Sequence, residues 1–204
     1  MAPTRTRFGG IVLCGGRSTR MGRPKLSLPF GSETMLERVV RILSEVVEPI
    51  VVVAAPEQEL PPLPGSVRIA RDEEEGLGPL SGLAAGFGAL AGSVDAVYVS
   101  SCDVPLLSPA FVTGMIERLG THDLAIPREG NYHHPLAAVY RCSLEPKVRS
   151  LLVEGRLRPF FLMEDCDAHV VDVSELRAVD PELESLRNCN TEEDYQRALR
   201  DAGL

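Results

Sequence analysis

The segment from Ile11 to Lys25 constrains the fold of this chain more than any other. Its apolar start, residues 11–14, predicts the end of a short buried strand, and Gly15 and Gly16 let the backbone turn where a Cβ would obstruct the turn or a ligand. The loop that follows has no acidic residue, although the whole chain has a formal charge of −8, and its cations are Arg17, Arg20, Arg23 and Lys25. A strand that leads through glycines into a cationic loop predicts a phosphate site, which we interpret as a nucleotide triphosphate site.

Two common glycine motifs do not fit this segment. A Walker A loop needs G-x-x-x-x-G-K-[ST], whereas Gly22 is followed by Arg-Pro-Lys, and the dinucleotide motif G-x-G-x-x-G is absent. The segment instead resembles L-x-G-G-x-x-x-R-M-G-x-x-K, the signature of nucleotidyltransferases with a Rossmann-like fold. Within that group it is most similar to the molybdenum cofactor guanylyltransferases. The alternative is a surface loop that is rich in arginine without binding anything.

Composition predicts one domain over residues 1–204, because a chain of this length buries roughly 70% of the surface that its unfolded form exposes. No run approaches the ~20 apolar residues of a membrane span, and the N-terminus lacks the apolar stretch of a signal peptide. We therefore expect a cytoplasmic protein without membrane contact. The net acidity argues against a nucleic-acid partner, which usually needs a basic face.

Cysteine and histidine spacing argues against a zinc site. The five cysteines are spread without a C-x-x-C pair, a pattern that favours reduced core thiols over disulfides or zinc. His133 and His134 are adjacent, and neighbouring side chains on an extended segment point to opposite sides. The sequence therefore gives no support for a His-ligated metal.

Hydrophobic patterning predicts an α/β fold. The capping-box spacing of Thr34 and Glu37 begins a helix, and the apolar run 50–55 is typical of a strand buried on both faces of a parallel sheet. Further strands are expected at 67–70, 95–100, 123–127, 135–140 and 168–173, with helices after residues 79, 108 and 143 and a polar loop over 128–134. Together with the resemblance, this alternation predicts a Rossmann-like three-layer sandwich, with helices on both faces of a mostly parallel sheet.

Two aspartates follow predicted strands. In open α/β sheets ligands bind beyond the carboxyl ends of strands, which places Asp103 where a metal carboxylate is useful. The run Cys102-Asp-Val-Pro-Leu-Leu107 resembles the family's magnesium motif, although Asp103 could instead cap the turn before Pro105. Asp72 precedes Gly78-Pro-Leu-Ser-Gly82, which resembles a Gly-Pro-Leu-Ala-Gly block of the same family.

The resemblance implies a reaction and a set of site residues. The family transfers GMP from GTP to the terminal phosphate of molybdopterin, with or without molybdenum, and expels pyrophosphate with Mg²⁺ as cofactor. Further partners implied are molybdenum insertion and molybdoenzyme maturation proteins. The matching catalytic residues are Lys25, Arg20 and Asp103, with Asp103 as the metal ligand. The matching GTP-binding residues are Leu13, Cys14, Gly15, Gly16, Lys25, Asp72 and Asp103.

Two segments are candidates for the acceptor surface. In relatives a His-Pro pair lies near the acceptor substrate, which here points to His134 and Pro135, although both could be plain loop residues. Near the C-terminus, Asn188 and Asn190 stand in a segment that resembles Asn-x-Asn-Thr-x-Glu-Asp of the family. Its Thr191 and Asp194 have capping-box spacing, which leaves the two asparagines available for substrate contacts.

The residue expected to read the base is missing. The family's guanine-contacting Asn falls at Ala55, so backbone groups or another residue would have to select guanine. We expect GTP to be preferred over CTP and ATP. The alternatives are a cytidylyltransferase acting on the same cofactor, a sugar-phosphate nucleotidyltransferase, and a nucleotide-binding regulatory module without enzymatic activity.

Overall fold

The computed structural model describes residues 6–14, 24–72 and 78–204. Its strands are β1 (Phe8–Leu13), β2 (Pro29–Phe30), β3 (Glu33–Thr34), β4 (Ile50–Ala54), β5 (Arg68–Arg71), β6 (Ala96–Ser101), β7 (Leu124–Glu129), β8 (Tyr132–His133), β9 (Ala137–Arg141) and β10 (Ala168–Asp172). Its α-helices are α1 (Met35–Ser44), α2 (Pro79–Leu90), α3 (Pro109–Leu119), α4 (Glu145–Val153), α5 (Phe160–Glu164) and α6 (Glu192–Asp201).

The main sheet has the order β10-β7-β9-β6-β1-β4-β5, and β8 pairs with β7. Strand β1 lies between β4 and β6 and is parallel to both. Only β9 on this path runs the other way, antiparallel to β6 and β7, so β7 again runs parallel to β6. The predicted mostly parallel sheet is confirmed. The carboxyl ends of β1, β4, β6 and β7 consequently lie along one edge.

Helices cover both faces of this sheet. Alternate residues of each strand divide between two apolar clusters, as the period-2 geometry of a strand requires. Val12 and Val52 belong to the cluster that contains residues of α1 and α3, whereas Ile11 and Val51 belong to the one that contains residues of α2 and α4. At Gly86 in α2 an added Cβ would lie 2.6 Å from Ile11 Cδ1. The small residues of α2 therefore allow close helix-to-sheet packing.

Local signals locate several helix starts correctly. Thr34 and Glu37 form the predicted capping box at α1, and Thr191 and Asp194 form the one at α6. Pro79 occupies the first turn of α2, where its missing N–H costs no helical hydrogen bond. Within the described ranges no helix has the length and apolar character that a membrane span requires.

Two short hairpins were not predicted. The polar loop expected over 128–134 is wrong in part: β7 extends to Glu129 and β8 pairs back onto it, with Gly130 at φ +57° in the turn. A two-stranded sheet, β2 with β3, precedes α1. Such short strands carry too little periodicity to be distinguished from loops, because their pairing rather than their pattern defines them.

Candidate active site

The site begins where β1 and β6 end side by side. Leu13 is paired in register with Ser101, and the Cys102 amide donates to the Leu13 carbonyl at 3.1 Å. Asp103 follows two residues after β6, with 13% of its side chain exposed. Its carboxylate is therefore held at the carboxyl edge of the sheet, next to the strand that leads into the glycine pair.

Four side chains converge on or next to this carboxylate, and we call them with Asp103 the Asp103 cluster: Lys25, Ser101, Asn188 and Asn190. Lys25 Nζ donates to Asp103 Oδ2 at 2.9 Å and to Asn190 Oδ1 at 2.8 Å. Asp103 Oδ1 accepts from Ser101 Oγ at 2.6 Å and from Asn188 Nδ2 at 2.7 Å. The predicted catalytic lysine, metal carboxylate and acceptor asparagines thus form one hydrogen-bonded group.

Buried apolar residues anchor the two segments that carry Lys25 and the asparagines. Lys25 opens a 3₁₀ helix, Lys25–Ser27, whose Leu26 is buried. Cys189, between the two asparagines, is 2% exposed, and its amide donates to the Asp103 carbonyl at 2.8 Å. Because Cys189 is fixed to Asp103 by this hydrogen bond, the exposed side chains of Asn188 and Asn190 on either side of it lie at one site.

The C-terminal helix braces the lysine segment. Tyr195 of α6 donates from its hydroxyl to the Pro29 carbonyl, and Leu28, Phe30, Cys189 and Tyr195 share one apolar cluster. This contact spans 166 positions of the sequence. Lys25 and Asn190 therefore depend on the same packing, so the last helix supports the geometry of the site although it supplies no member of the cluster.

Asp72 lies in a different part of the same edge. Its amide donates to the Ala54 carbonyl at 2.9 Å, and its Oδ1 accepts from the hydroxyl of Ser81 in the first turns of α2. It follows β5, two strands from β1. Ser81, which stands where the family block has Ala, therefore orients Asp72, a role that the sequence did not predict.

Cys14 contributes its backbone to the site, because its thiol is buried. A hydrogen bond with Cys102, burial and the charge of Asp103 raise the pKa of the Cys14 thiol well above its usual value. The Cys14 carbonyl oxygen accepts from Gln58 Nε2 at 3.0 Å.

All five cysteines are free, as the sequence predicted.

His134 and Pro135 follow the β7–β8 hairpin and are engaged locally. The His134 amide donates to the Pro127 carbonyl at 2.9 Å, and the Pro135 carbonyl accepts from Tyr140 Oη at 2.8 Å. His134 Nε2 is buried and has no hydrogen-bond partner among the described residues. Burial also lowers the pKa of the imidazole below its usual value. Among the described residues, no hydrogen bond joins this pair to the Asp103 cluster.

The remaining predicted residues lie outside the described ranges. They are Gly15, Gly16 and Arg20, together with the loop cations Arg17 and Arg23. Sequence reasoning also missed three described residues at this edge, Gln58, Ser81 and Ser101. Ser101 stands directly before the Cys-Asp motif, but a single serine or glutamine carries no signal of its own without its partners.

No group of three or more metal-ligating side chains occurs in the part of the chain that the structure describes. This donor set still fits Mg²⁺, which usually binds one or two carboxylates together with substrate phosphates and water. Asp103 supplies the carboxylate. Because Asn188 uses its Nδ2 to hold that carboxylate, its Oδ1 is the second hard oxygen that the cluster can offer.

The chain is similar to several known proteins over most of its length. The model of the MobA-like NTP transferase domain matches residues 10–169. A relative named probable molybdenum cofactor guanylyltransferase, from Mycobacterium avium, is 39% identical over 202 residues and covers 96% of each chain. The solved structure named molybdopterin-guanine dinucleotide biosynthesis protein A, from Archaeoglobus fulgidus, is 25% identical with a TM-score of 0.77, over 96% of this chain and 98% of that one. A putative protein from Aquifex aeolicus has a TM-score of 0.70 at 25% identity, over 90% of this chain and 94% of its own.

Proposed function

Because the chain belongs to the MobA-like NTP transferase family, we propose that it transfers GMP from GTP to the terminal phosphate of molybdopterin and releases pyrophosphate. The observation that carries this proposal is the Asp103 cluster, in which Lys25 Nζ lies 2.9 Å from a carboxylate at the carboxyl edge of the sheet. Similarity to the Mycobacterium avium guanylyltransferase over 96% of the chain supports the acceptor. In this proposal residues 1–204 form one transferase domain, and the protein acts in the cytoplasm.

The reaction needs little covalent chemistry from the protein. A phosphate monoester is already a nucleophile at neutral pH, so the main obstacle is the meeting of two anions while charge develops on the leaving pyrophosphate. Lys25 is the described cation best placed to neutralise that charge. Its ammonium has three donors, of which Asp103 and Asn190 accept two and thereby aim the third. Arg20 is the second cation proposed for this role.

Asp103 serves this reaction in two ways. In the described structure it fixes Lys25, and with Asn188 it would hold Mg²⁺. When bound, this ion neutralises and aligns the phosphates. Ser101 and Asn188 both donate to Asp103 Oδ1, which stabilises the charged carboxylate and leaves Oδ2 directed at Lys25. The protein thus supplies an anion of fixed orientation at the place where phosphates and metal have to meet.

GTP is proposed to lie along the carboxyl edge, with Leu13, Cys14, Gly15, Gly16 and Asp72 as further contacts. Asn188 and Asn190 belong to the Asp103 cluster and are exposed there, which supports their assignment to the acceptor side. His134 and Pro135 stay weaker candidates, since their hydrogen bonds within the described ranges join them to Pro127 of β7 and Tyr140 of β9. Molybdenum insertion and molybdoenzyme maturation proteins would supply the acceptor and receive the product.

The decisive experiment is a transfer assay with purified molybdopterin and each of the four NTPs, with Mg²⁺ or Mn²⁺. Guanylyl product and pyrophosphate in equal amounts are expected. Predominant cytidylyl product would replace the guanylyl assignment by the cytidylyltransferase alternative. Nucleotide binding without transfer to molybdopterin or to a sugar phosphate would favour the regulatory module.

A further inference from the structure

Gln58 lies at the carboxyl edge, in a tight turn that follows β4. The Gln58 amide donates to the Ala55 carbonyl at 3.1 Å, and Arg71 of β5 donates to the carbonyls of Ala55 and Gln58 at 2.9 and 2.7 Å. The side chain of the neighbouring strand thus restrains the backbone of the turn. The Cα of a residue in this turn is therefore held in position, as it would not be in a loop without such contacts.

The Gln58 side chain joins the ends of two adjacent strands. Its Oε1 accepts from the Ala55 amide at 3.0 Å, and its Nε2 donates to the Cys14 carbonyl at 3.0 Å. Only one orientation of the carboxamide satisfies both backbone groups, because an N–H needs an acceptor and a carbonyl needs a donor. The two backbone partners therefore prevent the amide from turning over.

One donor and one acceptor of this amide are left over. A carboxamide has two N–H groups and an oxygen with two lone pairs, and the backbone uses one of each. Gln58 is partly exposed, so the remaining N–H and lone pair can reach a ligand. Their order in space is set by Cys14 on one side and Ala55 on the other.

The charge layout indicates which end of a nucleotide meets Gln58. Lys25 and Asp103 stand by the ends of β1 and β6, and these groups suit phosphates and a metal ion. Strand β4 lies on the opposite side of β1 from β6, so about 10 Å separates the two strand ends at ~4.8 Å per strand. The amide of Gln58 is neutral and suits an uncharged base with polar edges better than it suits phosphates.

From this geometry we infer that Gln58 selects the base, with Nε2 donating to O6 of guanine and Oε1 accepting from its N1–H. Adenine and cytosine present an amino donor and a ring-nitrogen acceptor in the reverse order, so against the fixed amide they meet donor with donor and acceptor with acceptor. An amide free to turn over would accept either order. The inference rests on the proposed function. It assigns to Gln58 the recognition of guanine that the apolar side chain of Ala55 cannot provide.

The test compares the unmodified protein with Gln58→Met, which keeps the length of the side chain and removes both polar groups. kcat/KM of transfer to molybdopterin is measured with GTP, ITP and ATP. The unmodified protein should use ITP nearly as well as GTP, since inosine keeps O6 and N1–H, and should discriminate against ATP. In Gln58→Met the GTP-to-ATP ratio should fall by roughly 10- to 100-fold, the effect of two neutral hydrogen bonds.

Two further variants separate base selection from support of the turn. Glu57→Met changes an exposed side chain of the same turn and should leave the ratio unchanged. Gln58→Glu keeps an acceptor for the Ala55 amide but removes the donor to O6, so it should also lose preference for GTP. A Gln58 variant that melts at a lower temperature but keeps the ratio of the unmodified protein would show that Gln58 only supports the turn, and would overturn the inference.

Equilibrium binding keeps this test independent of the proposed reaction. Kd values for GTP, ITP and ATP are measured by calorimetry without acceptor, on the unmodified protein and both Gln58 variants. Loss of GTP-over-ATP preference in the variants supports the inference even if no transfer to molybdopterin occurs, an outcome that would contradict the proposed function alone. Unchanged relative Kd values together with an unchanged kcat/KM ratio would contradict the inference alone.

Discussion

The Asp103 cluster and the β7–β8 hairpin lie at the same edge of the sheet, but their polar side chains are held differently. In the cluster, side chains from three distant chain segments bond to one another, across separations of 78 and 85 residues to Asp103. Directly after the hairpin, the His134 amide donates to the Pro127 carbonyl, and its Nε2 is buried without a described partner. A hydrogen-bonded network of charged and amide groups with exposed members at a strand end fits binding or catalysis, whereas the buried imidazole of His134 behaves like a packed residue. Substitutions should therefore separate activity from folding in one region and not in the other.

The largest effect is expected for Asp103→Asn. The change keeps the size of the side chain but removes the anion that orients Lys25 and would hold the metal, so turnover should fall by roughly 10³-fold or more. Transfer kinetics and thermal melting are to be compared, and melting should change little. Asp167→Asn, at an exposed carboxylate, is the matched control. Near-normal turnover would contradict the proposed role of Asp103 in catalysis, and simple unfolding of Asp103→Asn would show that the carboxylate is structural.

Lys25→Met should come next, because it removes one positioned cation and keeps the apolar stem. We expect kcat to fall by roughly 10²- to 10³-fold, as for loss of one preorganised donor. Lys147→Met, at a partly exposed lysine of α4 that donates to the Asp165 carbonyl, should leave kcat unchanged in the same assay. If KM rises while kcat is unchanged, Lys25 contributes only uniform binding.

A smaller loss of activity is expected for Asn188→Ala. Asn188 Nδ2 donates to Asp103 Oδ1 at 2.7 Å, so its main role is to support that carboxylate. Removing such a supporting partner should lower metal affinity or activity by about 10- to 100-fold. A titration of activity with Mg²⁺ distinguishes the two, because weaker metal binding raises the half-saturating concentration. No change in that concentration and none in kcat would remove Asn188 from the site.

The smallest effect on activity is expected for His134→Gln, which should alter folding instead. Burial and the neighbouring His133 lower the pKa of His134, against an opposing influence of Glu129. The unfolded histidine therefore takes up a proton first as pH falls below about 6.5, and the native protein loses that contribution to stability on acidification. The melting temperature of the variant should be lower by about 2–4 °C at pH 7.5, and the gap should narrow at pH 5.5. A large rise in KM for molybdopterin would instead place His134 on the acceptor surface.

Much of the fold follows from local pattern. The run Ile50–Ala54 is buried throughout, and both capping boxes form as their spacing predicts. The β7–β8 hairpin was not predicted, because a strand of two residues such as β8 has no pattern of its own and is defined only by its pairing. Of the candidate site, Lys25, Asp103, Asn188 and Asn190 were named from the resemblance, whereas their mutual contacts were not predicted.

The sequence by itself determined where the longer strands and helices lie and which of their faces are apolar, because these depend on neighbours within about four residues. Only the tertiary structure decided that Lys25 contacts Asp103 and Asn190, that Ser81 holds Asp72, and that Gln58 joins the ends of β1 and β4. Those contacts depend on the strand order and on which elements end at the same edge. A hydrogen bond between residues 165 positions apart leaves no periodic trace in either segment.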